Sequence, residues 1–90
     1  MANHKSAMKR DRQSRVRRLR NRMNKSRMKT VVRRVEEALL AGSEEEARAA
    51  LAAAVPVIQK TASKGSIHKK TASRKVSRLT RRVNRMQPLG

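Results

Sequence analysis

Charge in this chain is sorted into three blocks, and that sorting limits the fold more than any single motif does. Residues 1–34 carry fourteen basic side chains and one acid, Asp11. Residues 35–59 carry five acids and one base, Arg48, and residues 60–90 carry ten bases and no acid. The net charge of +19 over 90 residues makes the chain repel itself unless a polyanion neutralises it. A featureless polycation would be basic throughout. Two basic blocks around an acidic, alanine-rich middle imply two surfaces held against a polyanion and one segment kept away from it. At this length the chain forms one domain, residues 1–90, with a small core.

The missing residue types narrow the chemistry. Without Phe, Trp or Tyr the chain cannot stack bases on aromatic rings, as sheet-based RNA modules and most oligonucleotide-binding barrels do. Without Cys it has no disulfide framework, thiolate zinc site or thiol nucleophile. The longest apolar run, Ala49 to Ile58, is half the roughly 20 residues a spanning helix needs. No membrane partner is expected, and a surface-seeking cationic helix would want Trp, Phe or a broad Leu face. The charged N-terminus leaves no room for a secretory h-region. An organellar transit peptide competes for residues 1–34, but the basic character resumes after residue 60. The imidazoles, His4 and His68, have no nearby carboxylate, and Glu36 and Glu37 point about 100° apart on a helix. No catalytic residue, metal site, cofactor or small-molecule substrate is expected.

Periodicity gives an all-α fold: an antiparallel three-helix bundle with an extended basic N-terminal helix. Met28, Val31 or Val32, Val35 and Leu39 recur at helical spacing, and Gly42 supplies a left-handed stop. Ser43 followed by Glu46 reads as a capping box, with Glu44 and Glu45 in the first turn. Ala47, Leu51, Ala54 and Ile58 stripe the second helix, and Pro56 inside it predicts a kink rather than a break. Gly65 ends this helix, Ser66 offers a cap for the third, and Ala72, Val76, Leu79, Val83 and Met86 stripe that one until Pro88 and Gly90. The bundle segments are 28–41, 44–63 and 67–86.

Extended towards the N-terminus, the core face of the first helix meets Asn24, Asn21, Arg17 and Arg10, which do not belong in a core. Residues 5–27 are therefore expected to project as a basic arm. Its bases, including Arg12, Arg15, Arg17, Arg18, Arg20, Arg22, Lys25 and Arg27, occupy most faces, and Lys29 follows just beyond it. That fits a helix embedded between phosphate backbones, whereas a merely solvated helix would mix signs. Lys64, Lys70, Arg81 and Arg82 in the third block join the same set. Val16, Leu19 and Met23 form a smaller stripe, read either as isolated exposed residues or as a contact with a partner's nonpolar surface. Folded RNA, whose backbones converge from several directions, suits this arm better than a DNA groove read by a compact helix-turn-helix.

Specific residues then carry a resemblance. The start Ala2-Asn3-His4-Lys5-Ser6-Ala7-Met8-Lys9-Arg10 and the stretch Ser26 to Val35 resemble the S20 family of bacterial small-subunit ribosomal proteins. The most specific match is Lys64-Gly65-Ser66-Ile67-His68-Lys69, followed by Ala72, Arg74, Lys75, Ser77, Arg78 and Leu79. Ser66 and Lys70 depart from the aliphatic residue and Asn usual there. The resemblance implies a three-helix bundle bound directly to small-subunit ribosomal RNA during early assembly, in the cytoplasm and beside other ribosomal components. It implies a place low on the body of the subunit, against the 5′ domain and the long helix near the 3′ end of the RNA. It further implies RNA contacts by Asn3, Lys5, Ser6, Lys9 and Arg10, and by Gly65, His68, Lys69, Arg74, Lys75 and Arg78. For His68 a half-buried place at the helix junction is the competing reading.

The expected mechanism is an electrostatic clamp whose arm orders as it enters RNA. With ~10 phosphate contacts, raising salt from 50 to 200 mM would cost about five orders of magnitude in affinity. The rival class is a histone-like protein coating DNA without specificity, which shares the basicity but has no need of the capped acidic middle.

Overall fold

The computed structural model describes residues 3–86, with side chains from Ser6 onward. The chain forms α1 (Asn3–Ala41), α2 (Glu44–Ser63) and α3 (Lys69–Asn84), with no strand among the described residues. At 1.5 Å per residue these are ~58, ~30 and ~24 Å long. Both α1 and α3 pack along α2 and meet each other far less. The whole is elongated, 73 × 20 × 14 Å. Short connections make successive helices antiparallel, so α1 and α3 run the same way. The side chains of Asn3 and Lys5, together with Pro88 and Gly90, lie outside the described residues.

Both helix stops read from the sequence close in the same way. The Gly42 N–H donates to Leu39 O and the Ser43 N–H to Ala38 O, at 3.2 and 3.3 Å. At the end of α2 the Gly65 N–H donates to Ala62 O and the Ser66 N–H to Thr61 O, at 2.9 and 3.1 Å. These paired bonds satisfy carbonyls that a helix end would leave orphaned, and they require a left-handed residue between them. Gly42 and Gly65 supply it, with φ of 72° and 77°.

Ser43 caps α2 as expected, its Oγ accepting the Glu46 N–H at 3.3 Å. The reciprocal half of the capping box is missing. The Ser43 N–H is already spent on Ala38, so the Glu46 carboxylate has no donor to reach back to. Glu44, Glu45 and Glu46 instead lie in the first turn of α2, against the positive end of its dipole. Helix α2 runs unbroken through Pro56 to Ser63, which is the single helix the continuous stripe predicts.

The core is small. Met28, Val35 and Ala38 of α1 pack with Ala47, Ala54 and Ile58 of α2 and with Ala72, Leu79 and Val83 of α3. Of these only Ile58, Val35 and Val83 are large side chains fully removed from solvent. Alanine dominates the α2 seam, which lets the helices approach closely but buries little apolar area per residue. Thr61 is also buried, and its hydroxyl donates to Val57 O at 2.7 Å, so it adds no unpaired group.

One expectation is corrected at the second junction. Helix α3 starts at Lys69, not residue 67, and its cap is His68, whose Nδ1 accepts the Lys70 N–H at 3.1 Å. Ser66 does not cap it. The turn at Gly65 commits the Ser66 N–H to α2, and the side chain faces α1 instead. There its hydroxyl donates to Asn21 Oδ1 at 2.9 Å and accepts from Asn24 Nδ2 at 3.0 Å. At the other end Arg82 approaches Glu36 at 3.7 Å. Polar groups thus tie α1 to the α2–α3 turn at one end and to α3 at the other.

Candidate nucleic-acid interface

Every candidate contact residue from Ser6 to Arg82 is exposed except Lys75, which is half-buried. Along α1, at about 100° per residue, the cations from Lys9 to Lys29 point in all directions. Among the described residues three ion pairs form, Asp11–Arg15 at 2.9 Å, Glu44–Arg48 at 3.0 Å and Glu36–Arg82. Of the candidate cations among the described residues, Arg15 and Arg82 are in an ion pair and the others are not. Exposed pairs of this kind are worth little, ~0–1 kcal/mol, and leave both groups open to other partners.

Some of these cations converge. Arg12, Arg17, Arg20 and Arg27 of α1 line a concave surface of about 1050 Å³ together with Lys64 and Gly65 of the α2–α3 turn. Val16 and Met23 and the amides of Gln13, Asn21 and Asn24 complete it, and no carboxylate does. On α3, Lys70, Arg74, Arg78 and Arg81 fall within about 80° of one another, opposite Leu79. Arg85 continues that stripe. Sequence reasoning left Arg85 out, although its spacing from Arg74, Arg78 and Arg81 is the signal that finds it. Arg33, Arg34 and Lys60 are exposed as well.

His68 is exposed, which removes the half-buried reading; the ring is a helix cap with its other edge available. The nonpolar residues of the arm are solvent-facing, Val16 at 47%, Leu19 at 58% and Met23 at 50%. They fall on an arc centred about 130° from the face that carries Val35. No group of His, Asp or Glu among the described residues is arranged to hold a metal ion. Among the described residues no helix is long and apolar enough to cross a membrane.

Long helices, a small core and cations that outnumber their acidic partners define a class: a basic all-helical protein shaped to lie against a polyanion. Comparison with known proteins makes this particular. Residues 2–84 match the family model described as ribosomal protein S20. A protein of Desulfotalea psychrophila named small ribosomal subunit protein bS20 is 62% identical, covering 93% of this chain and 94% of its own length. Proteins of the same name from Syntrophobacter fumaroxidans and Geobacter sulfurreducens are 61% and 54% identical over 93% of this chain, and 98% and 97% of theirs. The chain belongs to the ribosomal protein S20 family.

Proposed function

We propose that this chain is a structural, non-catalytic component of the small ribosomal subunit that binds small-subunit ribosomal RNA directly and stabilises its fold during assembly. The observation that carries the reading is the arm of α1, whose cations surround the helix with Asp11 as the one acid among them. A helix lying on one flat polyanion needs charge on one side only. Charge on all sides fits a helix enclosed by several backbones, the arrangement that folded RNA provides. The helical body holds α1 and the α3 stripe at fixed separation, so distant RNA segments are pinned together. Candidate contacts are the exposed cations of both blocks, with Ser6, Gly65 and His68; Asn3 and Lys5 complete the N-terminal set. Other ribosomal components are its neighbours, and the cytoplasm its location. Family membership favours this reading over DNA packaging.

Sedimentation tests it. A tagged chain expressed in bacteria should travel with the small subunit through a sucrose gradient at moderate salt. It should leave the subunit in molar salt, because neutralised phosphates recapture their counterions. Travel with chromosomal DNA instead would contradict the proposal.

A further inference from the structure

The concave corner between the arm and the α2–α3 turn has two walls from distant parts of the chain. One is α1, presenting Arg12, Arg17, Arg20 and Arg27 over a run of ~22 Å. The other is the turn, presenting Lys64 beside Gly65. A run of that length suits several consecutive phosphates of one strand. Like charges on opposite walls repel, so an empty corner tends to open. Beyond the packing of α2 along α1, what ties the two walls locally is the Asn21–Ser66–Asn24 clasp, two hydrogen bonds of 2.9 and 3.0 Å around a Ser66 side chain that is only 7% exposed. The backbone of Ser66 is fixed independently, by its N–H on Thr61 O.

We propose that this corner is a preformed seat for a single RNA backbone strand, and that Ser66 is a positioning residue which sets the distance between its walls. The proposal rests on the RNA-binding function above. Ser66 touches no phosphate itself. It keeps Lys64 within reach of the strand that the α1 arginines hold, so strand binding does not have to bear the cost of bringing the two walls together. The amides of Asn21 and Asn24, tied to Ser66, line the corner without adding charge to it. Beside Lys64 the lip is open space: a Cβ at position 65 would meet nothing within 4 Å.

The test compares Ser66→Thr, which retains a hydroxyl, with Ser66→Val, its isostere without one. Binding of the full chain to transcribed small-subunit ribosomal RNA is measured from 50 to 200 mM salt. Neither substitution changes charge. The seat predicts that S66T keeps the wild-type salt slope. S66V should lose about 1 unit of slope, the value of one phosphate contact, and bind several-fold more weakly at 50 mM. Lys64→Gln should remove the same unit from wild type and nothing further from S66V. Equal slopes for S66T and S66V, or an undiminished effect of K64Q in S66V, would overturn the proposal. Circular dichroism checks folding, and Asn24→Ala, which opens the clasp from α1, replaces S66V if that variant unfolds. Wild-type binding that duplex DNA competes away would refute the ribosomal reading, while the slopes would still report on the corner.

Discussion

Replacing Ile58 by alanine tests the packing account at its weakest point. Ile58 is one of three large side chains fully buried, and it sits where the α2 seam meets both other helices. The core around it is rich in alanine, with Ala54 one turn before it on α2, and alanine side chains are too short to follow a vacated side chain inward. Ile→Ala in such a site costs 2–5 kcal/mol, more where the walls cannot collapse. A body of this size draws only ~3–5 kcal/mol from its core. A loss of ~3 kcal/mol therefore removes most of the stability, more than a hundredfold in the folding equilibrium. The assay is urea unfolding followed by circular dichroism at high ionic strength, where self-repulsion is screened. With a slope of ~1 kcal/mol per molar, as for small proteins, the midpoint should fall by 2–3 M. Leu40→Ala is the matched control, since Leu40 is 86% exposed and its loss should stay within about 0.5 kcal/mol. A midpoint for I58A within 0.5 M of wild type would refute the reasoning, because the helices would not be meeting at that residue.

Gly65→Ala should cost ~1–2 kcal/mol by the same unfolding assay, because the left-handed turn strains any Cβ even where nothing touches it. Gly65→Asn should recover part of that loss. The free chain should show less helix than the RNA-bound chain: α1 has no acid in its first turn and carries like charges along the arm, so packing and propensity do not hold it alone. Unchanged ellipticity at saturation with ribosomal RNA would argue against this. A double-mutant cycle of Glu36→Gln and Arg82→Gln should give a coupling of ~0.2–1 kcal/mol that shrinks in molar salt; coupling insensitive to salt would mean the pair is not an exposed ion pair.

Local chemistry made most of the architecture legible. Gly42, Ser43 and Gly65 announced the helix boundaries because each acts within a few residues of itself. Most of the buried stripe of each helix followed from spacing, down to Val35 and Val83, whereas buried Ala38 and Thr61 lay outside the expected positions and Leu39, Leu51, Val76 and Met86 are only half-buried. The roles of Ser66, Asn21 and Asn24 were hidden for the opposite reason. They meet across more than forty residues of sequence, and a serine after a glycine reads locally as a cap. Two asparagines on the extended core face looked like the start of a free arm, since polar residues pack inward only when their partner is polar too. His68 escaped as the cap because that role commonly falls to Ser, Thr, Asp or Asn. The cation set was legible as a set, but its convergence on one corner was not: Lys64 comes near the α1 arginines only once α2 has folded back along α1.

Competition binding at near-physiological salt addresses the central claim most directly. Labelled small-subunit ribosomal RNA bound to the full chain is challenged with a large mass excess of duplex DNA, and separately of transfer RNA. Specific complexes commonly outlast non-specific ones by factors of ~10³ or more in affinity. The account predicts that the complex survives about a hundredfold excess of either competitor. Equal displacement by all three polyanions would contradict it, leaving charge as the whole of the recognition.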